Sequence, residues 1–228
     1  KFFLSEEPIT NKFFWEFFKN NKITNLAGVP TTWRILRKLF FERMSLPHLR
    51  IISQAGGKLS REEISWLSKV SKSKDYIIFI MYGQTEATAR ISYLEPSMID
   101  QKTGSIGKAI PGGELFLRDD KGSLICDANV QGELVYKGEN IMLGYAEQID
   151  DLIKGRKIEE LHTGDIAFRD KDNFYWITGR KKRFVKLFGN RFNLDDIEDF
   201  LNDQSIESYV IGKDDKLIII LNKTSTSI

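Results

Sequence analysis

The sequence contains one cysteine, two histidines and no long apolar run. A single cysteine, Cys126, cannot form an intramolecular disulfide, and with only two histidines it cannot complete a Cys/His zinc site. No apolar run approaches the ~20 residues needed to cross a bilayer, so we expect no membrane span. The N-terminal stretch KFFLSEEP is too short and too acidic for a secretory leader. These absences favour a reducing, cytoplasmic location.

The sequence also lacks an excess of charge of either sign. Lysine and arginine number 34 against 32 acidic residues, which gives a formal net charge of +2. No global field therefore attracts nucleic acid or an anionic membrane, and we expect no nucleic-acid partner. The length of 228 residues, with 41% hydrophobic and 29% charged residues, is typical of one or two globular domains.

The first part of the chain alternates strand and helix patterns. Strand patterns lie at residues 22–29, 49–57 and 76–83, and helix patterns lie at residues 31–44 and 60–72. Strands separated by helices indicate parallel β-α-β units. The apolar runs stop at Gly28, Gly56 and Gly83, where the backbone can approach a ligand, and ligands of open α/β sheets bind beyond such carboxyl ends.

The rest of the chain has a different sequence pattern, with strands and few helices. Short strands with glycine and turn residues between them are predicted at residues 113–119, 132–138, 166–170 and 174–180. A strand pair at 183–193, a helix at 194–203 and a further strand segment at 208–223 then indicate a small α+β module. We predict an α/β fold: a parallel β-α-β layer, a β-rich, barrel-like part, and the start of a small α+β domain.

Near the N-terminus, the stretch NKFFWEFFKN places four phenylalanines at helical spacing, Phe13, Phe14, Phe17 and Phe18. Core packing is the expected role for such a face, with a membrane or partner surface as the alternative.

The stretch YGQTE follows a buried strand and carries three groups that suit a nucleotide. Tyr82 offers an aromatic face, Thr85 a hydroxyl for phosphate oxygens, and Glu86 a hard oxygen ligand for magnesium. On local sequence alone, a turn in which Thr85 or Glu86 caps the next segment is an equally good interpretation.

Asp165 in LHTGD and Arg180 in TGRKK flank a predicted hairpin whose turn is DKDN. Pairing of IAF with YWI brings both residues to the open end of the hairpin. A carboxylate and a guanidinium there can bind a vicinal diol. Without other motifs, a hairpin-end salt bridge is the preferred interpretation.

The run GRKKRFVK and the turn SQAGGKL leave alternatives open. The first is either a basic surface or nucleic-acid patch, or a strand that presents Lys186 at a site. The second places Gly56 and Gly57 between a strand and a helix, where backbone can contact a planar ring or a phosphate, although most such turns are only turns.

Five motifs occur in order along the chain: YGQTE, GELVYKGENIMLGY, HTGD, GRKKRFVKLFGNRF and DDIE. They resemble those of the adenylate-forming superfamily, which includes acyl-CoA synthetases, nonribosomal peptide adenylation domains and firefly luciferase. Upstream, LAGVPTTW and LRIISQAGGKLSREE resemble the family's acyl-pocket and adenine-side segments. The resemblance implies a ligase that forms an acyl-adenylate from ATP and a carboxylic acid, then transfers the acyl group to the thiol of CoA or of carrier-protein phosphopantetheine. The alternative is a non-catalytic nucleotide- or partner-binding module derived from this family.

The resemblance assigns roles to individual residues. Those for ATP or AMP with Mg²⁺ are Gly56, Gly57, Tyr82 and Gly83 on the adenine side, Thr85 at the phosphate, Glu86 at magnesium, and Asp165 with Arg180 at the ribose. Those for the acyl pocket are Gly28, Val29, Met81 and Gln84, and those for the later step are the hinge Lys182 and the thiol-step residues Lys186 and Gly189. Of these, Thr85, Glu86 and Lys186 are the expected catalytic residues.

Two parts of the family pattern have no counterpart in the chain: the phosphate loop with its lysine, and the adenylation lysine near the end of the small domain. We therefore expect a fragment, inactive alone. Residues 1–179 would be the later part of the large domain, divided at about residue 100 between the α/β layer and the β-rich part. Residues 180–228 would begin a mobile, truncated small domain.

Overall fold

The computed structural model describes residues 1–187, 190–204, 206–213 and 216–221. Contacts divide the chain into two compact units. The first contains Lys1–Leu115, Tyr136–Leu161 and Asn173–Trp176, and the second contains Phe116–Val135, His162–Asp172 and Ile177–Ile228. The boundary at residue 180 between a large and a small domain stays a prediction.

The first unit contains a five-stranded sheet in the order β1-β2-β3-β4-β5. Its strands are β1 (Asn25–Gly28), β2 (Ile51–Gln54), β3 (Ile77–Tyr82), β4 (Ser92–Leu94) and β5 (Lys108–Ala109). The first three are parallel, and the last two are antiparallel to their neighbours. The predicted β-α-β layer is confirmed, since parallel strands need the helical crossovers that the sequence pattern indicates.

The helices of this unit are α1 (Lys12–Asn20), α2 (Pro30–Lys38) and α3 (Arg61–Lys74). Asn11 caps α1, and Ser60 with Glu63 forms a capping box on α3. The predicted helix at 31–44 is too long, because Phe40 adopts a left-handed φ of 55° that stops α2 and leaves a short 3₁₀ helix at Phe41–Arg43.

The core of the first unit joins the helices to the sheet. Trp33, Leu36 and Leu67 from the helices are 0–1% exposed and share one apolar cluster with Ile52 of β2. Helix α1 contributes less than predicted. Phe18 is buried, but Phe13 is 52% exposed beneath the Lys12 ammonium group, because the four phenylalanines span more of the helix surface than one face can bury.

The β-rich part is a four-stranded antiparallel sheet in the order β6-β7-β8-β9. Its strands are β6 (Gly113–Arg118), β7 (Gly132–Gly138), β8 (Leu161–Arg169) and β9 (Tyr175–Arg180). The remaining 3₁₀ helices lie at Thr85–Ala87, Pro96–Met98 and Ile149–Ile153. Strands β6, β7 and β9 lie within one residue of their predicted bounds, whereas β8 begins at Leu161, five residues before the predicted start at 166.

The end of the chain forms the predicted α+β module. It contains the antiparallel pair β10 (Phe184–Leu187) and β11 (Asn190–Asn193), helix α4 (Leu194–Asp203), and the antiparallel pair β12 (Ser208–Lys213) and β13 (Lys216–Leu221). Val185, Leu194 and Val210 form its small buried cluster. Among the residues with described structure, no helix combines the length and the apolar character that a membrane crossing requires.

Candidate active site

Three strand ends define the candidate site in the first unit. Strands β1, β2 and β3 are parallel and in register, with Gly28 opposite Gln54 and Gln54 opposite Ile80. Their carboxyl ends therefore meet at one edge of the sheet, which is where open α/β sheets bind ligands. The chain turns that leave this edge carry the glycine pair of SQAGGKL and the YGQTE stretch.

The predicted acyl-pocket and adenine-side segments pack against each other at this edge. A Cβ atom on Gly57 would lie 2.9 Å from Cγ of Pro30, and one on Gly56 would lie 3.3 Å from a methyl group of Val29. Gly56 also has a φ of +77°, which glycine adopts without strain. Glycine is thus required at 56 and 57 for these two segments to approach closely.

Gln54 fixes this turn, and the sequence reasoning missed it. Its side chain is 2% exposed, and its amide donates a 2.6 Å hydrogen bond to the carbonyl oxygen of Gly57. A buried polar side chain needs such a partner. The local signal for this role is a glutamine at the end of β2, just before the glycine pair.

Gly83 begins a tight turn after β3. A Cβ atom on Gly83 would lie 2.4 Å from the carbonyl oxygen of Ala89, so the returning chain leaves no room for a side chain. Within the turn, the carbonyl oxygen of Gln84 accepts hydrogen bonds from the main-chain NH groups of Ala87 and Ala89. The turn presents Thr85 as an exposed hydroxyl and Glu86 as a half-buried carboxylate.

The two other predicted acyl-pocket residues in this region are half-buried. Met81 is the last but one residue of β3, opposite Tyr93 of β4. The Nε2 atom of Gln84 is buried and has no hydrogen-bond partner among the described residues. An unsatisfied buried donor of this kind is uncommon in proteins.

Asn140, which is distant from this turn in sequence, contacts it directly and holds its shape. Its side-chain amide donates 2.8 Å hydrogen bonds to the carbonyl oxygens of Ala87 and Arg90, and its Oδ1 accepts a 2.8 Å hydrogen bond from the buried Tyr136 hydroxyl. This side chain therefore ties β7 to a segment in which Thr88 and Ala89 both have positive φ. Two consecutive non-glycine residues in that region need such external support.

The same stretch, GELVYKGENIMLGY, contacts Glu86 twice. The main-chain NH of Met142 donates a 2.8 Å hydrogen bond to the Glu86 carbonyl oxygen, and the Tyr145 hydroxyl donates a 2.6 Å hydrogen bond to Glu86 Oε1. The hydrogen bond to Glu86 raises the pKa of Tyr145. Both the backbone and the carboxylate of the predicted metal ligand are thus oriented by one segment.

The donors present fit magnesium held together with phosphate oxygens. Within the part of the chain that the structure describes, no three acidic, histidine or cysteine side chains cluster as a complete metal site. Magnesium commonly uses one or two carboxylates together with substrate phosphates and water. Glu86, with the Thr85 hydroxyl one residue away, matches that requirement.

The second unit contains the other predicted nucleotide residues. Arg180 Nε lies 3.0 Å from Asp165 Oδ1, as the hairpin pairing predicts. The Asp165 side chain is only 6% exposed and that of Arg180 is 67% exposed. Thr163 connects this carboxylate residue to β7, because its hydroxyl accepts from the Asp165 main-chain NH and donates to the Leu134 carbonyl oxygen. The pair therefore combines a fixed carboxylate with an accessible guanidinium.

A second carboxylate, that of Glu133 in β7, contacts Lys181 of the TGRKK segment. Lys181 Nζ is 2.9 Å from Glu133 Oε2, and His162 Nδ1 is 3.3 Å from the same oxygen. Burial opposes ionisation of Glu133, but the hydrogen bonds from Lys181 and His162 outweigh it and lower its pKa. The main-chain NH of Lys181 also donates to the Gly164 carbonyl oxygen at 2.7 Å, so Lys181 is fixed by both backbone and side chain.

The predicted hinge lies between two fixed residues. Lys182 is exposed, whereas Arg183 forms ion pairs with Asp195 and with Glu198 of α4. Lys186 lies in β10 opposite Arg191, and its side chain is outside the described structure. Gly189 also lies outside the described residues. The roles of all three stay predictions.

Comparisons with known proteins agree with the motifs. The family model of the AMP-binding enzyme matches residues 2–146. The long-chain-fatty-acid–CoA ligase of Salmonella typhimurium is 32% identical over 183 residues, which cover 80% of this chain and 32% of that protein. The 2-succinylbenzoate–CoA ligase of Bacillus pumilus is 33% identical over 147 residues, which cover 64% of this chain and 30% of that protein. The chain thus spans about a third of the length of these curated relatives.

Solved structures show the same fold. O-succinylbenzoate coenzyme A synthetase from Bacillus subtilis in complex with AMP has a TM-score of 0.75 at 23% identity, covering 92% of this chain and 44% of that one. Its complex with ATP and magnesium ion has a TM-score of 0.72 at 21% identity, covering 91% and 42%. With a family model that matches well over half of its residues, the chain belongs to the AMP-binding enzyme family.

Proposed function

We propose that the chain is part of an AMP-forming ligase that activates a carboxylic acid with ATP and transfers the acyl group to a thiol. The observation that supports this most is the arrangement around Glu86. Glu86 lies in a fixed turn after β3. The GELVYKGENIMLGY segment donates one hydrogen bond to its main-chain carbonyl oxygen and another to its carboxylate. A carboxylate fixed at a ligand-binding sheet edge suits the charge of a nucleotide–magnesium complex.

The nucleotide would be bound by residues that the motifs assign. Tyr82, with Gly56 and Gly57, would border the adenine ring, and the Thr85 hydroxyl would donate to a phosphate oxygen. Magnesium, when bound at Glu86, would offset the negative charge of the phosphates. The work of these side chains is to position the phosphate and stabilise charge, which is the main requirement of phosphoryl chemistry.

The ribose would be bound by the Asp165–Arg180 pair. A carboxylate accepts hydrogen bonds from two hydroxyl groups, and a guanidinium donates to their oxygens. Because the Asp165 carboxylate is already paired with Arg180 and its side chain is only 6% exposed, little side-chain entropy would be lost on binding. The same pair is consistent with a structural salt bridge, so a nucleotide-binding measurement on Asp165 variants decides between the two roles.

The acyl group would lie near Gly28, Val29, Met81 and Gln84. The relatives act on long-chain fatty acids and on 2-succinylbenzoate, as their names state, so an aliphatic or an aryl acid is proposed here. The acceptor thiol would belong to CoA or to the phosphopantetheine of an acyl carrier protein, with Lys186 and Gly189 serving that step. A cytoplasmic location is part of the same proposal.

The test is carboxylate-dependent ATP–pyrophosphate exchange by the complete protein that carries these residues. The acid panel should include medium- and long-chain fatty acids, aryl acids and amino acids. Exchange that depends on one class of acid supports the proposal and identifies the substrate class. Nucleotide binding without exchange on any acid would instead favour a non-catalytic nucleotide-binding module.

The chain by itself is expected to show no exchange. The family's phosphate loop and adenylation lysine have no counterpart in its sequence. Exchange by the purified 228-residue chain at the rate of the complete protein would contradict this expectation.

A further inference from the structure

We propose that Tyr145 is a positioning residue for Glu86 and that its phenol sets the orientation in which the Glu86 carboxylate meets a nucleotide-bound magnesium ion. This inference rests on the function proposed above. It adds a residue that the motif assignments did not include.

The first observation is the hydrogen bond itself. The Tyr145 hydroxyl donates to Glu86 Oε1 at 2.6 Å, a short distance typical of a hydroxyl that donates to a charged carboxylate. The Tyr145 side chain is 68% exposed, so apolar burial does not determine its place. The hydrogen bond to Glu86 is therefore a specific contact that can determine the position of the hydroxyl.

The second observation is the loop that carries Tyr145. The main-chain NH of Lys157 donates a 2.8 Å hydrogen bond to the Leu143 carbonyl oxygen, which closes the segment between them. Inside the loop, Asp151 Oδ2 accepts 3.0 Å hydrogen bonds from the main-chain NH groups of Glu147 and Gln148. A loop with internal bonds of this kind presents Tyr145 from a defined backbone.

The third observation is the way the loop joins the candidate site. Met142, just before the loop, donates its main-chain NH to the Glu86 carbonyl oxygen. Residues 142 and 145 thus fix the backbone and the side chain of the same glutamate. The loop and Glu86 form one hydrogen-bonded group, within the first unit.

The physical benefit is pre-organisation. A glutamate side chain loses rotamer freedom when it binds a cation, and that cost weakens binding unless the side chain is already ordered. Orientation by Tyr145 should therefore lower the magnesium concentration that nucleotide binding requires.

The experiment compares wild type and Tyr145→Phe in the complete protein, with ATP and magnesium chloride as the ligands. Calorimetry measures the magnesium concentration that half-saturates ATP binding. The variant should need ~5-fold to 10-fold more magnesium, the scale of the net contribution of one ordinary hydrogen bond, with unchanged ATP binding in the absence of magnesium. Circular dichroism should confirm an unchanged fold, because only an exposed hydroxyl is removed.

Tyr209→Phe is the matched control. Tyr209 is 65% exposed and lies in β12 of the second unit, so loss of its hydroxyl should leave the magnesium requirement unchanged. In a Glu86→Gln background, Tyr145→Phe should add no further change, because the carboxylate that it orients is gone. A ring that served only as packing would give equal magnesium requirements in the Tyr145→Phe variant and wild type.

Two failures are distinguishable. An unchanged magnesium requirement in Tyr145→Phe, with wild-type exchange intact, overturns the role of Tyr145 and leaves the proposed function standing. A wild type that shows neither exchange nor magnesium-dependent ATP binding overturns both.

Discussion

The side-chain amide of Asn140 donates a 2.8 Å hydrogen bond to the carbonyl oxygen of Ala87, a residue 53 positions earlier in the chain. Through this contact, the loop after β7 determines the shape of the turn that carries Thr85 and Glu86. The candidate site is thus built from two distant motifs, and its geometry should be as sensitive to Asn140 as to the turn itself.

Asn140→Ala should destabilise the chain by ~2–4 kcal/mol. The substitution leaves the buried Tyr136 hydroxyl without its acceptor and removes the donor to the Ala87 and Arg90 carbonyl groups. Urea unfolding followed by circular dichroism measures the loss. Asn20→Ala, at the exposed end of α1, is the control and should stay within ~0.5 kcal/mol of wild type. Equal stability of the Asn140 and Asn20 variants would contradict the assigned role.

Asp165→Ala in the complete protein should weaken AMP binding by at least ~10-fold. The reason is the loss of charge-assisted hydrogen bonds to the ribose diol, each of which contributes ~1.5–3 kcal/mol. Calorimetric titration with AMP tests this. The control is Asp203→Ala, at the exposed end of α4. Unchanged AMP affinity in the Asp165 variant would leave the Asp165–Arg180 pair as a structural salt bridge only.

Lys182→Pro should slow thioester formation more than adenylation. Lys181 is held by Glu133 and Gly164, and Arg183 is held by ion pairs to α4, so we propose that the dihedral change of a hinge would fall on residue 182 between them. Proline restricts φ at that residue. Pyrophosphate exchange and thioester release, measured separately, give the comparison. Lys182→Ala should retain both activities, and equal losses in both half-reactions of the proline variant would exclude a hinge at this residue.

Glu133→Gln should reduce the loss of folding stability that wild type shows as the pH falls. The pKa of Glu133 is lower in the folded protein than in the unfolded chain, where a glutamate titrates near ~4.3. Its ionised form therefore stabilises the fold fully above that value, and the contribution is lost as the pH falls through the lower folded pKa. Urea midpoints between about pH 3 and pH 7 measure the effect. Glu139→Gln, an exposed neighbour of β7, serves as the control, and identical acid profiles for both variants would refute the prediction.

The sequence was sufficient to predict most elements because their signals are local. Apolar runs that stop at glycine predicted β1 to β3, and glycine-punctuated strands predicted β6 to β9. The end of α2 was not predictable in this way, since no residue in LRKLFFERM indicates that the backbone of Phe40 is left-handed. The exposure of Phe13 also depends on which helix face meets the core, a tertiary property.

In the candidate site too, contacts between neighbouring strands were predictable from the sequence, and contacts between distant segments were not. Proximity of Asp165 and Arg180 followed from hairpin pairing, because the residues lie on adjacent strands. Gln54, Asn140 and Tyr145 could not be found by that reasoning. Asn140 and Tyr145 act on residues more than fifty positions away, and only the fold brings them together.

The hydrogen bond between Lys157 and Leu143 also has a practical use. The two ends of this loop already meet, and the entropic cost of lengthening a closed loop is only ~0.6 kcal/mol for each doubling of its length. Ile149, Leu152 and Ile153 at its tip are exposed, and an insertion after Ile153 would keep the hydrogen bonds from Glu147 and Gln148 to Asp151. A fluorescent protein inserted there would be attached to the segment that contacts Glu86, and its emission would test whether the proposed ligand binding changes the surroundings of this loop.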